Sequence, residues 1–193
     1  MRISIKVMLK QFCQGLLITS CVVLPSVLIP PQGTNAQESS VNYFTKSPRL
    51  LGATTTFDAV RFSAAKYYFN ISLPEDAGNN LQQIGIAQRQ GSEDIRFKLD
   101  ETKVFIGNDR KRKESLAIAS VTQEETTGEI KVLLAQAIPP GTDFTVRLKP
   151  RRNPDYPGIY LFGVTAYPQG VDPTSLYLGP GRFSFRGGDS SSY

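Results

Sequence analysis

The sequence predicts an all-β protein, an antiparallel immunoglobulin-like β-sandwich of eight or nine short strands preceded by a signal peptide. Apolar and polar residues alternate in short runs, which is the period of a half-buried strand. Turn residues separate these runs at intervals of about ten to fifteen residues, and no long amphipathic helix interrupts them. The first 36 residues stand apart, because they combine positive charge with a long apolar stretch.

Residues 1–36 carry the features of a secretory signal peptide. Three basic side chains precede an apolar stretch from Phe12 to Ile29, and Thr34-Asn35-Ala36 offers small residues to a signal peptidase. Cleavage after this site would leave a mature chain that begins at Gln37. The segment therefore predicts export to the periplasm, the cell envelope or the extracellular space.

Two alternative interpretations keep the chain at a membrane. The apolar stretch spans about 18 residues, near the lower limit for crossing a bilayer, so it could serve as an uncleaved anchor. Ile18-Thr19-Ser20-Cys21 resembles a lipobox, in which Cys21 would carry a lipid. Pro25 and the small-residue site favour cleavage over an uncleaved anchor.

The mature chain begins with a polar, flexible lead-in at 37–47, and a β-sandwich domain follows at 48–186. Its clearest strand is Lys66 to Leu73, where apolar residues alternate with polar ones until Pro74 ends the run. The tail at 187–193 is rich in Gly and Ser and is predicted to be mobile. The segment 81–88 is predicted to be either a strand or a short helical turn that leads into one. Further strands are predicted near residues 95–99, 104–106, 116–121, 129–134, 144–148, 159–167 and 183–185.

Removal of the signal peptide would leave a chain without thiol, thioether, imidazole or indole groups. Both cysteines and both methionines lie in the first 25 residues, and the sequence has no His or Trp. Zinc, copper and haem sites need such ligands, and Ser-His-Asp or Cys-His catalysis needs histidine. Calcium would need clustered oxygen ligands, and the candidates Asp155, Asp172 and Glu75-Asp76 are interpreted as solvated turn residues without EF-hand spacing. We therefore predict no metal and no cofactor.

The charge balance gives no argument for a nucleic-acid partner. Three of the 22 basic residues lie in the signal peptide, so the mature chain has 19 basic and 17 acidic residues and a net charge of +2. Nucleic-acid binding is therefore not predicted. The basic run at 110–113 follows Asn108-Asp109 and is predicted to be a solvated hairpin turn.

Two catalytic alternatives remain to be considered. Ser63-Ala64-Ala65-Lys66 has the spacing of a Ser-Lys dyad, but that motif must open a helix and here it leads into a strand. A pair of carboxylates could hydrolyse a glycoside, although the spacing of 17 acidic residues does not select a pair. An Asp/Glu-dependent hydrolase acting on envelope polysaccharide is therefore the alternative function.

One loop combines basic, amide and aromatic side chains on a rigid backbone. Its candidate ligand or partner residues are Lys149, Arg151, Arg152, Asn153 and Tyr156. Guanidinium groups bind anions through paired hydrogen bonds, and a tyrosine offers a flat face to a sugar. The same Asn-Pro and Pro-Gly pairs also make an ordinary corner between two strands.

Three stretches resemble a family of cyanobacterial secreted proteins known only as a domain of unknown function, DUF2808. They are PRLLGATTTF at 48–57, YYFNISLPEDAGNNLQQIGIAQ at 67–88, and the segment from Pro139 to Pro168 with its Pro-Pro-Gly-Thr and Tyr-Leu-Phe motifs. The resemblance implies an envelope or extracellular location in a photosynthetic bacterium, and it brings no catalytic residues. A weaker likeness, of fold alone, is to immunoglobulin-like periplasmic copper carriers, whose His and Met ligands this mature chain lacks.

Together these features predict a non-catalytic interaction module of the cell envelope. Its partner would be an envelope protein, a polysaccharide or an anionic membrane surface, met through loops.

Overall fold

The computed structural model describes residues 42–108 and 114–187. The predicted signal peptide, residues 37–41 of the lead-in, the basic run at 110–113 and the tail from residue 188 lie outside the described residues. The chain divides into two units, Met1–Gln37 and Glu38–Tyr193, and every described residue belongs to the second.

The described residues form ten strands in two five-stranded sheets, and every strand pairs antiparallel with its neighbours. The first sheet has, in spatial order, β1 (Arg49–Thr55), β2 (Tyr67–Leu73), β8 (Thr142–Leu148), β4 (Lys103–Ile106) and β5 (Ser115–Leu116). The second sheet has β10 (Leu176–Phe185), β9 (Gly158–Pro168), β3 (Leu81–Gln90), β7 (Ile130–Ile138) and β6 (Ile118–Gln123). The predicted immunoglobulin-like sandwich is confirmed.

The core lies between the two sheets and is rich in aromatic rings. Alternate residues of each strand point inward, as the period of a strand requires. Seven rings from both sheets and from the β3–β4 connection form a connected cluster in this layer: Tyr67, Phe69, Phe97, Tyr160, Phe162, Phe183 and Phe185. These rings, called the aromatic core below, bury a large apolar area and hold the sheets together.

The predicted run at 116–121 is divided between the two sheets. β5 pairs with β4 in the first sheet, and β6 pairs with β7 in the second, so the chain changes sheets at Ala117. β10 begins seven residues before the strand predicted at 183–185. It can include Pro180 because it lies at a sheet edge, where a missing backbone N–H breaks no required hydrogen bond.

The prediction of a strand at 95–99 is wrong. Ile95 and Phe97 do turn inward, but the segment forms only an isolated bridge between Phe97 and Pro150, followed by a 3₁₀ turn at Leu99–Glu101. Apolar and polar residues alternate in this segment because its extended backbone lies along the β8–β9 loop. Two backbone hydrogen bonds of 2.8 Å hold it there, from Lys98 N to Lys149 O and from Arg151 N to Arg96 O.

The strand directions gather four loops at one end of the sandwich. β2 begins where β8 ends, since Tyr67 pairs with Leu148, and β9 begins where β10 ends, since Gly158 pairs with Phe185. The four loops are β1–β2 (56–66), β3–β4 (91–102), β6–β7 (124–129) and β8–β9 (149–157). We call this surface the loop end, and the candidate site lies on it.

Candidate functional site

Asn153 fastens the β8–β9 loop to the β1–β2 loop. Its side chain is fully buried, and its Oδ1 accepts a hydrogen bond of 3.0 Å from the Tyr67 hydroxyl. Its Nδ2 donates to the carbonyl oxygens of Phe57 (2.9 Å) and Ala59 (2.7 Å), and its backbone N–H donates to Phe62 O. Burial raises the pKa of Tyr67, which keeps the hydroxyl protonated as the donor. The side-chain amide of Asn153 therefore uses its hydrogen bonds to connect the two loops.

Lys149 also bonds inside the protein. Its side chain is buried, and its Nζ donates to the carbonyl oxygens of Ser63 and Ala65, the latter at 3.0 Å. Burial lowers the pKa of this amine. Two of the five residues predicted as a ligand surface, Lys149 and Asn153, thus stabilise the loop end from within, while Arg151, Arg152 and Tyr156 are exposed.

Acidic side chains hold the tip of the β8–β9 loop. Oε1 of Glu93 accepts the backbone N–H groups of Asp155 and Tyr156, the latter at 3.1 Å. The carboxylate of Asp155 in turn pairs with Arg152 at 2.7 Å and with Arg61 at 3.4 Å. Glu93 therefore has two hydrogen-bond donors in the loop end, whereas Asp155 has one donor, Arg152, and a second positive charge, Arg61, nearby.

The chain after β10 closes the same surface. Arg186 forms an isolated parallel bridge with Ala59, and its guanidinium lies 2.9 Å from the carboxylate of Asp58. The hydrogen bond from Arg186 holds the pKa of the Asp58 carboxyl below its usual value. Both partners are exposed, so we assign this pair no large share of the stability.

Two clefts open between the loops. One, of about 430 Å³, lies between the 93–96 and 151–154 segments. The other, of about 500 Å³, shares Asp94, Ile95, Arg96 and Arg151 with the first and extends to the β6–β7 loop at 125–128. Both volumes are of the size that small-ligand sites have, about 300–1,000 Å³.

Arg96 and Arg151 lie between the clefts as a cross-strand pair. The bridge between Phe97 and Pro150 places the two arginines opposite each other, and both are exposed. Within 42–108 and 114–187, neither guanidinium forms an ion pair. The sequence indicates Arg151 as a candidate site residue but not Arg96, because Arg96 lies in a segment that is predicted to be an ordinary strand.

Exposed aromatic rings lie on the same end. Phe57 and Phe62 are 45% and 37% exposed, and their ring centroids are 4.2 Å apart. Tyr156 is 60% exposed at the tip of the β8–β9 loop. Asn153 donates hydrogen bonds to the carbonyl oxygens of both phenylalanines, from its side chain to Phe57 and from its backbone to Phe62. These bonds hold the two residues beside the candidate loop, although they lie far from it in the sequence.

The catalytic alternatives have these positions in the structure. Ser63-Ala64-Ala65-Lys66 lies in the β1–β2 loop and opens no helix. The part of the chain that the structure describes contains no group of three or more His, Cys, Asp or Glu side chains placed to hold a metal. In the same residues, no helix is long and apolar enough to span a membrane.

The fold and this end surface define an antiparallel β-sandwich domain whose loops form an open, partly charged surface. The chain belongs to the family described as "Protein of unknown function (DUF2808)", whose model matches residues 41–185. No curated protein matches the sequence.

Several solved structures are similar to this chain. One is a chain from the structure described as manganese lipoxygenase of Gaeumannomyces graminis and a partial structure of zonadhesin of Komagataella pastoris, with 18% identity and a TM-score of 0.44. The match covers 69% of this chain and 46% of that chain, so this chain spans about half the length of that structure. BslA, a bacterial hydrophobin, has 14% identity and a TM-score of 0.43, with 73% and 99% covered. The collagen-binding domain of a Staphylococcus aureus adhesin has 13% identity and a TM-score of 0.37, with 76% and 98% covered. No conclusion about ligand or activity follows from similarities of this size.

Proposed function

We propose that this protein is an exported, non-catalytic binding module of the cell envelope, which meets its partner through the loop end. Residues 1–36 direct export, residues 48–186 form the working domain, and the host is a photosynthetic bacterium, as the family resemblance implies. The partner is a component of the envelope. If the N-terminal segment is retained or Cys21 carries a lipid, the same module works at a membrane.

One observation carries the proposal: the loop end leaves two neighbouring guanidinium groups exposed between two clefts. Arg96 and Arg151 have no ion-pair partner among the described residues, although acidic side chains elsewhere on this end hold Arg61, Arg152 and Arg186. A surface that pairs its other arginines and leaves these two open is suited to an external anionic group.

The hydrolase alternative is less well supported by the geometry. A glycosidase needs one carboxylate to attack or activate water and a second to act as an acid. Of the two acidic residues that line the first cleft, Glu93 is engaged by two backbone N–H groups. Asp94 alone does not supply the pair in this cleft. The second cleft is lined by Asp94 and Glu125, but both are exposed to solvent, whereas the acid of a glycosidase lies in an apolar pocket.

The test measures binding to the envelope itself. The tagged protein, produced from its full-length sequence, is mixed at low salt with envelope fragments and sedimented. We expect the protein to sediment with the fragments and Arg151→Ala/Arg152→Ala to reduce the bound fraction at least about threefold, because charged contacts at an exposed surface contribute most at low ionic strength.

The matched control removes two positive charges elsewhere. Lys46 and Arg49 are exposed at the opposite end of the sandwich, so Lys46→Ala/Arg49→Ala should bind as the unchanged protein does. Absence of envelope binding, or an equal loss in both double variants, would show that the loop end is not the binding surface.

A further inference from the structure

The cross-strand position of Arg96 and Arg151 has an energetic cost. Side chains of directly opposed residues on an antiparallel pair lie about 4.5–5.5 Å apart at Cβ, and like charges in this position destabilise the pair. Backbone hydrogen bonds hold the two segments in this register, with 2.8 Å from Arg151 N to Arg96 O. An anion bound between the two guanidiniums would relieve the repulsion.

The two clefts lie on either side of the Arg96–Arg151 pair, so the site is elongated. The first cleft leads from the arginines to Arg152 and Pro154, and the second leads from them to the 125–128 segment of the β6–β7 loop. Both share the Arg96–Arg151 pair, so a ligand that fills both must pass across it. A linear polymer with acidic groups along its length has this form.

The walls of the clefts favour hydroxyl-rich ligands over apolar ones. The apolar lining residues are buried: Ile95 and Phe97 are each 8% exposed, and Phe162 is 1% exposed. The exposed lining is polar, including Thr126 and Asp94. Protein partners are usually held by apolar or aromatic anchors in such pockets, whereas hydroxyls and carboxylates hydrogen-bond well to sugar hydroxyls.

We infer that the Arg96–Arg151 pair binds the acidic groups, carboxylate or sulfate, of a linear polysaccharide whose flanking sugar units occupy the two clefts. This inference rests on the proposed function and names its ligand class. A flat membrane surface would contact the rim and leave both clefts unfilled. Asp94 lines both clefts, and Glu93 and Glu125 line one cleft each. These carboxylates offset part of the positive charge, so acidic groups that meet both guanidiniums at once bind best.

The experiment measures affinity by titration calorimetry at low salt with three polymers: alginate, which carries carboxylates, dextran sulfate, and neutral dextran. We expect one or both acidic polymers to bind and dextran not to bind. Arg151→Glu should weaken the affinity for the acidic polymer at least about tenfold, because it removes a charge-assisted contact and adds a repulsive charge.

The same variant separates a binding role from a structural one. The new carboxylate faces Arg96 across the strand pair and forms an opposite-charge pair, so the melting temperature of Arg151→Glu should equal or exceed that of the unchanged protein. Arg49→Glu makes the same change of charge on the exposed start of β1, at the opposite end, and should keep its polymer affinity within about twofold.

Each other outcome overturns the inference. If neither acidic polymer binds while envelope binding still depends on Arg151, the ligand class is wrong and the proposed function stands. If Arg49→Glu loses as much affinity as Arg151→Glu, binding is a general charge effect. If phosphatidylserine vesicles or polyglutamate bind more tightly than both acidic polymers and Arg151→Glu abolishes that binding, the partner is a membrane or an acidic protein. Should Arg151→Glu fail to fold, Arg96→Glu, which makes the same charge reversal on the partner arginine, must show the same loss of polymer affinity.

Discussion

Replacing Phe162 with alanine is expected to lower the free energy of unfolding by about 3–5 kcal/mol. Phe162 is 1% exposed, and its ring lies 5.6–6.2 Å from the rings of four other members of the aromatic core. These contacts join β9 to the opposite sheet and to the β3–β4 connection, so the cavity would open between the sheets. Because domains of this size are stable by about 5–15 kcal/mol, the loss would be a large share of the total.

Urea denaturation measures this effect, and Ile159→Ala is the matched control. Ile159 lies on the same strand but is 44% exposed, so its truncation should cost less than about 1 kcal/mol. If the two substitutions lowered the urea midpoint equally, the side chain of Phe162 would not occupy the core between the sheets.

Replacing Asn153 with alanine is expected to cost about 3–5 kcal/mol, although it removes a polar side chain from a loop. The substitution leaves the Tyr67 hydroxyl and the Ala59 carbonyl oxygen without their partner. It also removes one of two donors to the Phe57 carbonyl oxygen, which still accepts from the Thr55 hydroxyl. Each unsatisfied buried group costs about 1–3 kcal/mol. Entry of water into the opened site would recover some of this, so we expect the total to fall below the sum.

Two further variants divide this effect. Tyr67→Phe removes only one of the side-chain hydrogen bonds and should cost about 1–2 kcal/mol. Asn80→Ala removes an exposed bond of 2.9 Å to Gln169 and should cost less than about 1 kcal/mol. A urea midpoint for Asn153→Ala no lower than that for Asn80→Ala would contradict the role of Asn153 as the link between the two loops.

The strands were predictable because each is a local pattern. Tyr67–Leu73 shows its alternation and its ending proline in the sequence alone, and the structure places β2 there. The pairing of strands was not predictable, because it depends on residues far apart in the chain. The segment at 95–99 illustrates this: its alternation is real, but its partner is a loop, so no full strand forms.

The candidate site was predictable only in part, and for the same reason. The residue types of the β8–β9 loop suggested a ligand surface, but whether a side chain faces solvent depends on the β1–β2 loop that covers it. Lys149 and Asn153 are buried by that loop, and nothing local in the sequence signals it. The Asn-Pro pair at a strand corner favours a structural role, and in the structure Asn153 has such a role.

Arg96 could not be predicted as a site residue without the register between two distant segments. Its position opposite Arg151 follows from one bridge between the β3–β4 and β8–β9 connections, and a shift of one residue would turn it to the other face. Composition identifies arginines as anion ligands but does not say which two meet. The pair is therefore a property of the fold and not of either segment.

The most direct measurement is a nuclear magnetic resonance titration of the protein with solubilised envelope polysaccharide, observing the backbone amides and the arginine Nε–H groups. The account predicts shifts confined to the four loops of the loop end, with the largest at Arg96 and Arg151. Shifts centred on the opposite end of the sandwich or on the outer face of either sheet, with both arginines unaffected, would contradict it.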